Sequence, residues 1–218
     1  MRLPALVLTV VLGCLSYLPA GAADLREGID YDVLPAPISS EAPGKVEVVE
    51  FFWYGCPHCF SVEPQVEAWA KRLPANVVFR REHAMFAGNS SWGGHARLFV
   101  ALKTLGLVDS MTPKVFDAIQ VKHIELRDEA TLFDWIAKQG INRARFEAAY
   151  KSSAADAGMQ RQIQQTRAAG IDGVPEFIVN GRYKTSPVKL QSEVRTFEVI
   201  NQLISLQPNA AKPALQPN

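Results

Sequence analysis

The stretch "KVEVVEFFWYGCPHCF", residues 45–60, decides how the rest of the chain is read. It opens as a short, nearly unbroken apolar run, rich in Val, Phe and Trp (Lys45–Trp53). That pattern predicts a central strand buried on both faces. The run then yields two cysteines, Cys56 and Cys59, separated by Pro57 and His58. Pro57 suits the first turn of a helix, where a missing N–H costs nothing. Residues 57–72 are therefore expected to be helical, with Pro64 as a kink.

Four uses compete for a cysteine pair of this spacing. A zinc site needs two further ligands. Beyond residue 22 there is no other cysteine, and His83, His95 and His123 lack paired metal spacing. Haem attachment needs His directly after the second Cys, and here Phe60 follows. A disulfide across two intervening residues closes so small a loop that it constrains little of the unfolded chain. Redox exchange has a positive physical case. Two cysteines at a helix start bring their sulfurs within bonding reach. The first lies where unpaired N–H groups and the helix dipole favour a thiolate. The second falls one turn in, covered, ready to resolve a mixed disulfide.

The surrounding chain sets the compartment. Arg2 precedes an apolar run from Ala5 to Leu12, followed by the small residues Ala20, Gly21 and Ala22. That order predicts a secretory signal cut near Ala22. The alternatives are cleavage at Ala23, an uncleaved anchor shortened by Pro4 and Pro19, or lipidation at Cys14. Cutting at 22 removes Arg2 and no acid, which leaves 22 basic against 22 acidic residues. Near-neutral charge gives no footing for nucleic acid, and the protein is expected to be exported.

Further along, residues 76–84 read as a second strand, and Asp30–Leu34 as a short edge strand. From about 91 to 170 strand signals nearly vanish. Thr112-Pro113, Asp128 and Asn142 are expected helix starts, Gly140 a stop, and 155–169 a last helix of this block. Strands return at "VPEFIVNGRYKT" (174–185), with Asn180-Gly181 as a hairpin turn. A final helix is expected at 192–205. The order predicts an α/β domain interrupted by an all-helical insertion: 1–22 signal peptide, 23–87 first part, 88–160 insertion, 161–207 second part, 208–218 disordered tail.

Two neighbours of the cysteines stand out. An imidazole at His58 beside the thiolate would stabilise reduced Cys56, which makes the disulfide a stronger oxidant; otherwise it is an incidental exposed residue. Glu50 shares strand parity with Val46, Val48 and Phe52. A buried carboxyl there would have a raised pKa and could exchange the proton that thiol chemistry requires. Otherwise Glu50 reaches solvent at an edge, or pairs with Arg80 or Arg81. Trp53, Tyr54 and Gly55 receive no assignment from sequence.

"VEFFWYGCPHCF" and "GVPEFIVNG" (Gly173–Gly181) resemble the two landmarks of the thioredoxin superfamily, and within it of the DsbA family of periplasmic dithiol oxidases. The helical block falls where that family inserts a helical domain. The resemblance implies that Pro175 is cis and lies against the cysteines, with Val174 presenting its backbone to an extended substrate. It implies that Cys56 exchanges and Cys59 resolves, with no cofactor or metal. The expected partners are reduced exported proteins and a quinone-linked membrane oxidase of the DsbB type, which reoxidises the pair; the protein is expected to be a monomer. An isomerase or reductase of the same superfamily, or a thiol metal-handling or chaperone module, are the alternatives.

Overall fold

Alternation along the central strand decides which side chains meet which layer. The structure, a computed structural model, describes residues 24–88 and 90–206; the expected signal peptide, Cys14 and the expected C-terminal tail lie outside them. In chain order the strands are β1 (Asp32–Val33), β2 (Val46–Phe52), β3 (Val77–His83), β4 (Glu176–Val179) and β5 (Tyr183–Thr185). They form one sheet in the order β1-β5-β4-β2-β3. Strand β2 runs parallel to β3 and antiparallel to β4. All seven of its residues are buried, as its unbroken apolar run requires. Val46 and Val48 pack with Val62, Val66 and Trp69 of helix α1 (Pro57–Ala70) and with Phe197 and Ile200 of helix α8 (Glu193–Ser205). Val49 and Phe51 face the opposite layer, with Leu34, Ala169 and Ile171.

Between β3 and β4 the chain is helical: α2 (Ser90–Thr104), α3 (Val108–Phe116), a π-helical turn (Asp117–Val121), α4 (Glu129–Lys138), α5 (Arg143–Tyr150) and α6 (Ser153–Ala168). Asp128 and Asn142 cap α4 and α5 by accepting the N–H groups of Thr131 and Arg145, each at 2.9 Å. Gly140 follows α4 at φ 80°, a conformation that glycine adopts without strain. Asn180 and Gly181 both take positive φ between β4 and β5, as the hairpin signal requires.

Thr112-Pro113 does not start a helix. Both residues lie inside α3, which begins at Val108. Burial of Met111, Thr112, Val115 and Phe116 on one face sets the register and outweighs the backbone bond that Pro113 cannot make. Helix α1 runs through Pro64 as one element. A short helix, α7 (Pro187–Leu190), stands where no element was expected, capped by Ser186.

Candidate active site

The end of β2 delivers the chain to the cysteines through a tight turn. The Cys56 N–H donates to Trp53 O at 2.9 Å. Gly55 has no alternative there, because a Cβ would stand 2.3 Å from the Trp53 indole. That indole stacks on Trp92, with ring centroids 4.3 Å apart, and donates to His95 Nδ1 at 3.1 Å. Burial holds His95 down to about 4, so it stays the neutral acceptor of that bond. Trp53 and Gly55, unassigned by sequence, are thus one packing unit that closes the turn.

Cys56 occupies the N-cap of α1 in extended geometry, Pro57 follows it, and no side chain caps the helix. The sulfur therefore stands where unpaired N–H groups point. Its pKa falls to about 6, chiefly through the hydrogen bond from Cys59. The backbone N–H groups of Cys59 and His58 contribute next, the His58 charge contributes less, and burial opposes them. Position at the helix start thus outranks the imidazole. His58 itself is exposed. Cys59 is wholly buried, and burial, Cys56 and the Glu50 charge push its thiol well above the usual range. The pair is two free thiols of opposite character: one acidic, one reluctant to ionise.

Across from them the Val174–Pro175 bond is cis, and the Cys56 thiol donates to Val174 O at 3.5 Å. Chain segments 118 residues apart in sequence meet at that contact.

Glu50 sits beneath, 1% exposed, on the same strand face as Phe52. Its partner is Arg81, directly opposite on β3, whose Nε donates to Glu50 Oε2 at 3.2 Å. The pairing with Arg81 and the burial both hold, although sequence reading treats them as alternatives. Arg81 is shared: Nη2 donates to Glu63 Oε1 at 2.9 Å, and Glu67 and Asp109 stand at 3.8 and 3.7 Å. Arg81 alone faces the two buried acids, because Lys71 reaches only Glu67, at 3.4 Å, and Asp109 lies in solvent. Burial therefore prevails over the ion pair, raising Glu50 and bringing Glu63 to about 8. Sequence reading missed Glu63. The available signal was its spacing of four from Cys59, which puts both on one face of α1.

The profile of the DSBA-like thioredoxin domain matches residues 47–194 of this chain. The chain belongs to the DsbA-like thioredoxin family. It is 34% identical over 209 residues to the thiol:disulfide interchange protein DsbA of Pseudomonas aeruginosa, covering 95% of this chain and 98% of that one. It is 39% identical over 186 residues to the DsbA of Bordetella parapertussis, covering 85% and 88%. The crystal structure of Pseudomonas aeruginosa DsbA superposes with a TM-score of 0.76 at 34% identity, over 82% of this chain and 92% of that one. The Xylella fastidiosa oxidoreductase DsbA gives 0.73 at 28%, over 81% and 94%. As a DsbA-like protein the chain has a thioredoxin fold with a helical insertion and is a thiol-disulfide oxidoreductase.

Proposed function

We propose that this DsbA-like protein is an exported, periplasmic dithiol oxidase that passes its Cys56–Cys59 disulfide to reduced exported proteins. The observation that carries this reading is the asymmetry of the pair, an acidic Cys56 thiol at the helix start above a buried Cys59 held well above its usual range. An acidic Cys56 is a good leaving group and stabilises the dithiol, and both effects favour giving the disulfide away.

A substrate thiolate attacks Cys56 Sγ. The sulfur–sulfur bond breaks, and Cys59 leaves as a thiolate. Buried as it is, that thiolate takes up a proton. Glu50, whose charge acts on Cys59 and whose carboxyl is raised by burial, is the proton partner. A second substrate thiolate then attacks the substrate sulfur of the mixed disulfide, and Cys56 departs as the stabilised thiolate. Two electrons have moved from substrate to enzyme. Val174 and Pro175 present backbone beside Cys56 to an extended substrate. His58 adds a favourable charge to the departing Cys56. A quinone-linked membrane oxidase of the DsbB type accepts the two electrons and restores the disulfide. The protein acts as a monomer.

The test is equilibration of the Cys56–Cys59 pair with glutathione buffers. The pair should be easily reduced by them, and a potential as low as a thioredoxin's would overturn the oxidase direction. In parallel, the oxidised protein should transfer its disulfide to a reduced, unfolded protein with two cysteines.

A further inference from the structure

The turn that presents Cys56 is gripped from outside the sheet. Phe52, Tyr54, Cys56 and Cys59 share one apolar cluster with Leu98 and Phe99 of α2, Phe116 of α3 and Leu132 of α4. Two side chains of the turn are anchored on the helical insertion: Trp53 donates to His95, and the Tyr54 hydroxyl meets Thr112 Oγ1 at 3.3 Å. A third contact differs in kind. Gln120 Nε2 donates to the main-chain carbonyl of Tyr54 at 2.9 Å. It holds backbone, two residues before the nucleophile.

We propose that Gln120 is a positioning residue for Cys56, through which the helical insertion sets the reactivity of the active-site thiol. Gln120 lies within the π-helical turn. Lys122 N–H bonds to Asp117 O at 3.0 Å, the wide i to i+5 pattern, immediately after α3. The wide turn takes an extra residue, which rotates the following side chains relative to an α-helical continuation. Gly55, the next residue after the gripped carbonyl, is the weak joint of the turn. It must be glycine because the Trp53 indole fills the space of a side chain, and glycine has the freest backbone. Gln120 braces the peptide that enters this joint. With the joint held, Cys56 keeps its bond to Trp53 O, and its sulfur stays aligned with the N–H groups of His58 and Cys59. A thiolate needs that alignment more than an uncharged disulfide does, so a loosened turn costs the reduced form more than the oxidised one.

This inference rests on Cys56 being the acidic, exchanging thiol, and the experiment separates the two. Alkylation of the reduced wild type across pH measures the Cys56 pKa. If the wild-type thiol is not acidic, the oxidase reading itself fails. In Gln120→Met, which removes the donor at similar size, the Cys56 pKa should rise by about half a unit to one unit. The equilibrium constant with glutathione should shift about three- to tenfold toward the disulfide. Tyr54→Phe breaks the Thr112 contact but leaves the carbonyl in place; it should lower the melting temperature without moving either quantity. Gln120 is half-buried, and Gln120→Ala serves the same purpose if the Met variant does not fold. A thiol pKa and glutathione constant unchanged in the Gln120 variant, whatever its stability, would overturn the proposal. Equal shifts in Tyr54→Phe would also overturn it, because packing alone would then suffice.

Discussion

Strands β2 and β3 carry a buried charge cluster on each face, and the two are built differently. Facing α1, Glu50 and Glu63 share Arg81 with Glu67 and Asp109, and Glu63 Oε2 has no hydrogen-bond partner among the described residues. On the other face Glu47 and Glu82, with the exposed Glu41 at the rim, meet two cations. Arg80 pairs with Glu47 at 3.0 Å and with Glu82, and Lys103 of α2 donates to Glu82 Oε1 at 2.6 Å. Every carboxylate oxygen of Glu47 and Glu82 is answered, and the atoms of this cluster left without a hydrogen-bond partner among the described residues are Arg80 Nε and Gln162 Oε1 rather than carboxylate oxygens. Glu47 Oε1 accepts from the Glu41 N–H, its Oε2 from Arg80, and Glu82 Oε2 from Gln162 of α6 at 2.8 Å. The balanced cluster ties sheet to helices; the cation-poor one can hold a proton. A buried carboxylate is therefore not functional because it is buried, but because of what is missing around it.

The largest effect should come from unbalancing the satisfied cluster. Glu82→Ala removes the carboxylate that Arg80, Lys103 and Gln162 share; Arg80 keeps Glu47 and the partly exposed Lys103 keeps Glu41, so the loss in urea unfolding should be about 3 kcal/mol. The glutathione equilibrium of the cysteines should stay put. A loss below about 1 kcal/mol would mean that this face does not lock the layers together.

The second effect is a pH dependence. The Glu63 carboxyl goes from 4.5 to about 8 on folding, so the native state keeps its proton where the unfolded chain has lost it. Its stabilisation is full below about pH 4.5 and disappears as pH climbs to about 8. In oxidised protein, where the thiols do not titrate, this contribution should fall over that window, set against the gain up to about pH 6.5 from His83 and His95, which burial keeps neutral. Glu63→Gln should remove roughly 2 kcal/mol of the loss. Parallel curves for the two proteins would contradict the cation-poor reading.

Next comes exchange itself. Glu50→Gln should remain folded, because Arg81 keeps three other acids, yet disulfide transfer near neutral pH should slow roughly tenfold. Stopped-flow rates that match wild type across pH would take Glu50 out of the mechanism. The smallest effect belongs to a charge outside both clusters. His58→Ser should raise the Cys56 pKa and make the pair a weaker oxidant by a few-fold, since the imidazole contributes less than the backbone N–H groups. No change in either quantity would refute its electrostatic role.

Local chemistry was legible in the chain. The Val- and Phe-rich run, Pro57 after Cys56, the caps Asp128 and Asn142, and Asn180-Gly181 act through their own neighbours, and each forms the element its residues call for. Thr112-Pro113 carries an equally local signal and was misleading. Burial of Met111, Thr112, Val115 and Phe116 on one face, with Thr112 beside Tyr54 fifty-eight residues away, set the register of α3 instead. Glu50 could be singled out because a carboxylate interrupts an apolar run. Glu47 stands in the same run and gives the same signal, so sequence cannot separate the cation-poor carboxylate from the one locked by two cations.

The sequence by itself determined the exchange chemistry, because a thiol pair at a helix start needs only residues 56–59 and the strand that delivers them. Only the tertiary structure decided how that chemistry is tuned. Arg81, Glu63, Val174 and Gln120 reach the site from β3, α1, the cis-proline loop and the π turn. The balance of charge and hydrogen bonding around a buried group is a sum over neighbours in space, and those neighbours lie up to 118 residues away along the chain.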